Sequence, residues 1–287
     1  MMEYLKKAEQ EILFYFNSLL KGKNARTILF YPEYPNKRTI IYKILRHLKC
    51  NITSSIKHKF DLAFYWEDTT FRKEPDALKN LIREKIMNLN CKDISKEKIS
   101  EVFGKVFGYG LDINPRTFTG ECVRKNNLNA MHDGVVVKCP VENPEKGFVY
   151  QKILNNKIDG NLVMDLRTPV LRGVIPFIYL KFKEIKNRFT NDLYKSEIAA
   201  VNEYFTENET KKISEFCSQI GLDYGELDVL RNNYDGKIYI VDVNYTPWGP
   251  PAKLSEDENR MAVLRMSETF KRIYFKRDDI FLKRYHP

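Results

Sequence analysis

The sequence predicts a mixed α/β protein, α/β in its first part and α+β beyond. Three features carry that reading. Residues 27–65 run strand, helix, strand; from about residue 109 the texture becomes Gly- and Pro-broken extended runs; and the chain closes on helix, hairpin, helix from Glu207.

Each element has a local reason. Leu5, Ile12, Leu13, Phe16, Leu19 and Leu20 recur at helical spacing in residues 4–20. Thr27 to Tyr31 is a short apolar run closed by Pro32 and Pro35, and Phe60 to Tyr65 is its counterpart. Between them, Ile40, Ile41, Ile44, Leu45 and Leu48 mark the buried face of a helix. This βαβ unit has no GxGxxG turn, so it predicts no dinucleotide site. Pro75 opens an expected helix with Leu78, Leu81, Ile82, Ile86 and Leu89 on one face. Ser95 caps another, with a stripe of Ile99, Val102, Phe103, Val106 and Phe107. Residues 121–125, 134–138, 148–154, 161–174 and 175–182 read as extended. Thr206 and Glu209 form a capping box for a helix that stops at Gly221, and Ser255 with Glu258 starts the last helix.

Composition narrows the function classes. The 287 residues hold 48 Lys and Arg against 38 Asp and Glu, a net charge of +10, with 43% hydrophobic and 30% charged residues. That is a globular composition, able to bury roughly three quarters of its unfolded surface. No apolar run is long enough for a membrane span, and no signal-peptide pattern opens the chain, so a cytoplasmic location is expected. The five cysteines are scattered without a CxxC pair, which argues against a disulfide framework and a zinc site. Acids interrupt the basic clusters, and neither an aromatic RNA-binding motif nor a recognition helix is present, so nucleic acid is not the expected partner. His132 and His286 lack partner patterns and read as surface hydrogen-bonding groups.

The most informative stretch is residues 221–251. Asn232 to Gly236 is a turn between two strand-like runs, hence a hairpin. Alternation puts Glu226 and Asp228 on one face, and Asp242 and Asn244 on one face of the partner strand, with Ile238 and Ile240 on the Asp242 side. Pairing about the turn can set Asp228 opposite Asp242. Facing like charges cost something like 0.2–1 kcal/mol per pair, so a cation is expected to compensate them. Carboxylate and amide oxygens are the hard ligands that suit Mg²⁺.

This hairpin resembles the metal-binding hairpin of the ATP-grasp family, which includes glutathione synthetase and D-alanine–D-alanine ligase. The resemblance implies an ATP-grasp fold with a short N-terminal βαβ domain, residues 1–109, and an ATP-grasp region, 110–287, hinged near 148–155. It makes Asp228, Asp242 and Asn244 the metal ligands, for two Mg²⁺ ions on ATP; Asp242 stands where the family usually has Glu. Val123-Arg-Lys125 and the loop to Gly134 are similar to the family's strand lysine and phosphate-covering loop. Phe148 to Leu154 resembles the adenine hinge, giving Gln151, Lys152 and Leu154 those roles. Lys181, Arg188 and Asn191 align with groups around the transferred phosphoryl, and Lys138 adds positive charge. Lys181 and Arg188 are the expected catalytic residues, and Lys125, Lys138, Gln151, Lys152, Leu154 and Asn191 the nucleotide-binding ones.

The implied activity is ATP- and Mg²⁺-dependent carboxylate–amine ligation through an acyl phosphate, on small-molecule, glycan or peptide acids and amines. A kinase of the same fold, a nucleotide-binding protein without turnover and, more distantly, a basic nucleic-acid-binding protein are the alternatives. Trp248 either rigidifies the exit of the hairpin or walls the acceptor site.

Overall fold

The computed structural model describes residues 9–16, 20, 25–131 and 133–275. Helix α1 (residues 9–16) is the described part of the first amphipathic run; Leu5 and Leu19 lie outside the described residues, as do His132 and His286.

The N-terminal sheet is parallel. It contains β1 (Thr27–Pro32), β2 (Asn51–Thr53), β3 (Leu62–Trp66) and β4 (Ile86–Met87) in the order β2-β1-β3-β4. Strands β1 and β3 are nearly continuously apolar because both faces are covered. Helix α2 (Ile40–His47) buries Ile40, Ile41, Ile44 and Leu45 on one face, against Phe30, Phe64 and Trp66. Leu29, Ala63 and Tyr65 face a second cluster on the other side.

The expected helix from Pro75 to Leu89 is corrected. Helix α3 (Asp76–Lys79) is a single turn, and Ile86 and Met87 instead extend the sheet beside Ala63 and Phe64. The unpaired edge of β3 offers backbone partners that outweigh a modest helical stripe, and Ile82 stays exposed. Helix α4 (Lys96–Phe107) forms where expected. Ser95 Oγ accepts from Lys98 N at 3.3 Å, and Gly108 at φ 80° ends the helix in the left-handed conformation.

Two antiparallel sheets follow. The smaller has β5 (Gly120–Asn126), β6 (Val135–Cys139) and β7 (Phe148–Lys152) in the order β6-β5-β7. The larger has β8 (Leu162–Leu171), β9 (Ile178–Glu184), β10 (Lys195–Ala199), β11 (Tyr224–Arg231) and β12 (Ile238–Asn244) in the order β10-β9-β8-β11-β12. Short helix α5 (Val201–Tyr204) leads into α6 (Glu207–Ile220), and α7 (Glu256–Phe270) closes the described fold; both longer helices start with the expected capping boxes.

Register decides what the large sheet presents. Asp165 pairs with Lys181; Arg167 pairs with Tyr179 on one side and Asp228 on the other. Asp228 pairs with Asp242, and Glu226 with Asn244. Cross-strand partners share a face, so one face carries a row of charge across four strands. The opposite face buries Leu166, Leu180, Leu227, Val229 and Val243 in the same apolar cluster as residues of α4 and α6. One expectation fails: Ile238 and Ile240 lie in that apolar cluster, not beside Asp242. The register shifts between Asp228 and Val229, whose partners are Asp242 and Ile240, so Val241 is the extra residue of a bulge that resets the alternation. Among the described residues, no helix is long and apolar enough to cross a membrane.

Candidate functional site

Two adjoining cavities open over the charged face. The first, of about 130 Å³, is lined by Lys125, Lys181, Arg188, Asn191, Asp228 and Asp242 together with Lys96, Asn156, Asp165 and Lys183. The second, of about 600 Å³, shares Lys181, Asn191, Asp228 and Asp242 and adds Asn244, Glu226 and residues of the N-terminal region. The three expected metal ligands and four of the expected phosphate contacts thus come together from β5, β9, β11, β12 and the 188–191 turn.

Positive charge is organised by hydrogen bonding. Arg188 Nη2 donates to Leu154 O at 2.7 Å and to Asn156 Oδ1 at 3.1 Å. Asn156 Nδ2 in turn donates to Asp165 Oδ1 at 3.0 Å, and Lys183 Nζ lies 2.9 Å from Asp165 Oδ2. The chain of contacts fixes the guanidinium through Nη2, so Nη1 and Nε are the donors left for an anion. Lys181, 4% exposed, has its ammonium 3.8 Å from Asp228 Oδ1. Burial pushes the Lys181 ammonium below its usual range despite that carboxylate, and pushes Lys125 down to about 8, with Lys96 adding to the effect.

The acids have distinct states. Burial would raise the Asp228 carboxyl, but Arg167 and then Lys181 hold it far below the usual carboxylate range. Arg167 Nε and Nη2 donate to its two oxygens at 3.0 and 3.4 Å. Asp242 is pushed up by burial and by facing Asp228, with Lys96 and Lys125 opposing. Its Oδ1 accepts from Val243 N at 3.1 Å, and Asn244 Oδ1 accepts from Thr246 N at 2.8 Å. Close approach at β11 is built in: a Cβ on Gly225 would stand 2.5 Å from the Asn244 carbonyl oxygen.

Among the described residues, no group of three or more His, Cys, Asp or Glu is disposed to hold a metal ion. Two facing carboxylates and one amide nevertheless fit Mg²⁺, which typically takes one or two carboxylates and completes its shell with phosphate and water oxygens.

Four expected nucleotide contacts stand apart from both cavities. Gln151, 3% exposed, donates from Nε2 to Asp112 Oδ1 at 3.1 Å and accepts at Oε1 from Lys125 Nζ at 3.4 Å. Lys152 is exposed, with its backbone N donating to Leu111 O at 2.9 Å. Leu154 is packed in the apolar cluster of the large sheet. Lys138 is exposed and pairs with Glu121 on β5. Sequence reasoning missed Arg167, Asp165, Lys183, Asn156 and Lys96 as site residues. The signal for Arg167, Asp165 and Lys183 was charge at alternate positions within otherwise apolar strands.

The large antiparallel sheet, with Asp228 and Asp242 on its hairpin, and the smaller sheet, with half-buried Lys125, line one cavity. No protein-family model matches the chain, and no curated protein matches it. Solved structures do. One is the ATP-grasp ligase PsnB complexed with minimal precursor, Mg and ADP: TM-score 0.52 at 11% identity, over 86% of this chain and 99% of that one. PsnB with a phosphomimetic variant of that precursor, Mg and ADP gives 0.51 at 9% identity, over 86% and 100%. D-alanine–D-alanine ligase from Bacillus anthracis gives 0.48 at 11%, over 85% and 99%. On the two PsnB superpositions, the chain has the ATP-grasp fold.

Proposed function

We propose that the chain is an ATP- and Mg²⁺-dependent carboxylate–amine ligase. The observation that carries this is the cross-strand pair Asp228–Asp242, which lines one cavity together with Lys125, Lys181 and Arg188, with Asn244 in the adjoining one. Phosphoryl transfer asks a protein for positioning and charge neutralisation more than for covalent help, and these residues supply both.

In this reading Asp228, Asp242 and Asn244 hold Mg²⁺, which would neutralise triphosphate charge when bound. Lys125 and Lys181 face the phosphates, and Arg188, fixed by Leu154 O and Asn156, presents its free edge to the transferring group. Asn191, at the junction of both cavities, sits between nucleotide and acceptor. Residues 148–155, strand β7 and the start of its connection to β8, act as the hinge within an ATP-grasp region 110–287 that follows an N-terminal region 1–109; Gln151 positions Lys125 there. A substrate carboxylate oxygen attacks the γ-phosphorus, ADP leaves, and an amine displaces phosphate from the acyl phosphate with loss of a proton. Peptide carboxylates are the first class to try, since a protein of the same fold was solved with a precursor.

The test is ADP and phosphate release measured against a panel of acids, with and without amines. Phosphate release that requires both an acid and an amine supports the ligase. ADP formation with one substrate and a stable phosphorylated product indicates a kinase and overturns it.

A further inference from the structure

Three residues of the segment after β3 grip the exit of the hairpin, next to Asn244. Tyr245, fully buried, donates its hydroxyl hydrogen to Thr69 O, and Arg72, 6% exposed, stacks on its ring. Asp68 is exposed; its backbone N donates to Glu33 Oε2 at 3.1 Å, and its Oδ1 accepts from Thr246 Oγ1 at 2.9 Å. Thr246 is buried and holds Asn244 as well. Its backbone N donates to Asn244 Oδ1 at 2.8 Å, and its Oγ1 stands 3.4 Å from that same oxygen.

An amide oxygen has two lone pairs and a hydroxyl has one hydrogen. Thr246 N fills one lone pair of Asn244 Oδ1 and fixes which end of the amide is the oxygen. The other lone pair is contested between the Thr246 hydroxyl and a cation. That hydroxyl has two acceptors in reach, and the Asp68 carboxylate is the nearer and, being charged, the stronger. The hydrogen therefore goes to Asp68, and Asn244 Oδ1 keeps one lone pair open. Asn244 lines the 600 Å³ cavity together with Asp68, Asp228 and Asp242.

We infer that Asp68 is a positioning residue for the metal: by holding the Thr246 hydroxyl hydrogen, it leaves Asn244 Oδ1 free to ligate. The inference rests on the proposed role of Asn244 as a Mg²⁺ ligand. Through Asp68 the N-terminal region then tunes a metal site whose ligands all lie on β11 and β12. The competing account is the Asp68 charge acting on the cation through space, and the variants below separate the two.

The experiment is calorimetric titration of the full chain, saturated with ADP, with Mn²⁺ as the probe. Asp68→Ala, at an exposed position and so compatible with folding, releases the hydroxyl to Asn244 Oδ1. It should weaken Mn²⁺ about tenfold, the lower end of what losing an outer partner costs a metal site. Asp68→Asn keeps an acceptor for the hydroxyl and should bind Mn²⁺ like the native protein. Thr246→Val removes the competing hydrogen: alone it should leave affinity unchanged, and added to Asp68→Ala it should restore it. Thr246→Ala, which removes the same hydroxyl from a smaller side chain, should behave alike. The inference is overturned if Asp68→Ala binds Mn²⁺ as the native protein does, if Asp68→Asn loses as much as Asp68→Ala, or if neither Thr246 variant restores Asp68→Ala. Asn244→Ala reads the underlying assignment. If it leaves Mn²⁺ affinity unchanged, or if the native protein takes up no Mn²⁺ with ADP, the metal reading fails and this inference with it. If Asn244→Ala weakens Mn²⁺ and Asp68→Ala does not, this inference alone fails.

Discussion

At the scale of single residues, Asp242 and Lys125 separate function from stability. Burial and facing Asp228 raise the Asp242 carboxyl, so its charge is held against the fold's preference. Asp242→Asn should therefore leave the melting temperature equal or higher while turnover falls by about 100-fold or more, as when other preorganised charge-stabilising groups are removed. Differential scanning fluorimetry and steady-state ADP release check the two halves. Lys125, pushed down to about 8 by burial, gives a pH signature. Its folded pKa lies below its unfolded one, near 10.5, so between those values the unfolded chain keeps a proton that the fold has released. Stability from this group rises across that window. Nucleotide affinity falls as pH passes 8, because the neutral amine loses a charge-assisted hydrogen bond worth about 1.5–3 kcal/mol. Lys125→Arg keeps its charge, and a titration of affinity against pH should show the break removed.

At the scale of elements, the site depends on how β8 and β11 are stitched together. Arg167 on β8 compensates Asp228 and stands nearest to Glu226 on β11. Arg167→Leu takes from buried Glu226 its cation at 3.5 Å and leaves Asp228 with Lys181; it should cost about 3–5 kcal/mol, read as a lower midpoint in urea unfolding. This pair also shows what the sequence could and could not convey. Caps at Ser95, Thr206 and Ser255 were legible because each is a contact over three residues. The turn at Asn232–Gly236 was legible too, but continued alone past Val229–Ile240 it would set Asp228 against Val241; the bulge moves Asp228 opposite Asp242. Arg167 and Asp228 lie 61 positions apart, and no local pattern pairs β8 with β11. The bulge at Val241 carries no signal in an apolar run, and the stripe through Ile86 satisfies a helix as well as a strand edge. What was missed was decided by tertiary partners, not by local chemistry.

At the scale of the whole molecule, the net charge of +10 is not spread evenly in effect. Lys96, Lys125, Lys181, Lys183 and Arg188 converge on a cavity with Asp133, Asp165, Asp228 and Asp242. Its two sides come from different sheets, and the proposed Mg²⁺–nucleotide would bridge them. Occupancy should therefore stabilise the fold as a unit. The most direct measurement is thermal unfolding with ATP, with and without Mg²⁺, in the native protein and in Asp242→Asn. At 100 times the dissociation constant, Mg²⁺–ATP should add about 2.7 kcal/mol to the native protein; chelation of Mg²⁺ or Asp242→Asn should remove most of it. An unchanged transition in millimolar Mg²⁺–ATP, or an equal gain in Asp242→Asn, would contradict the account.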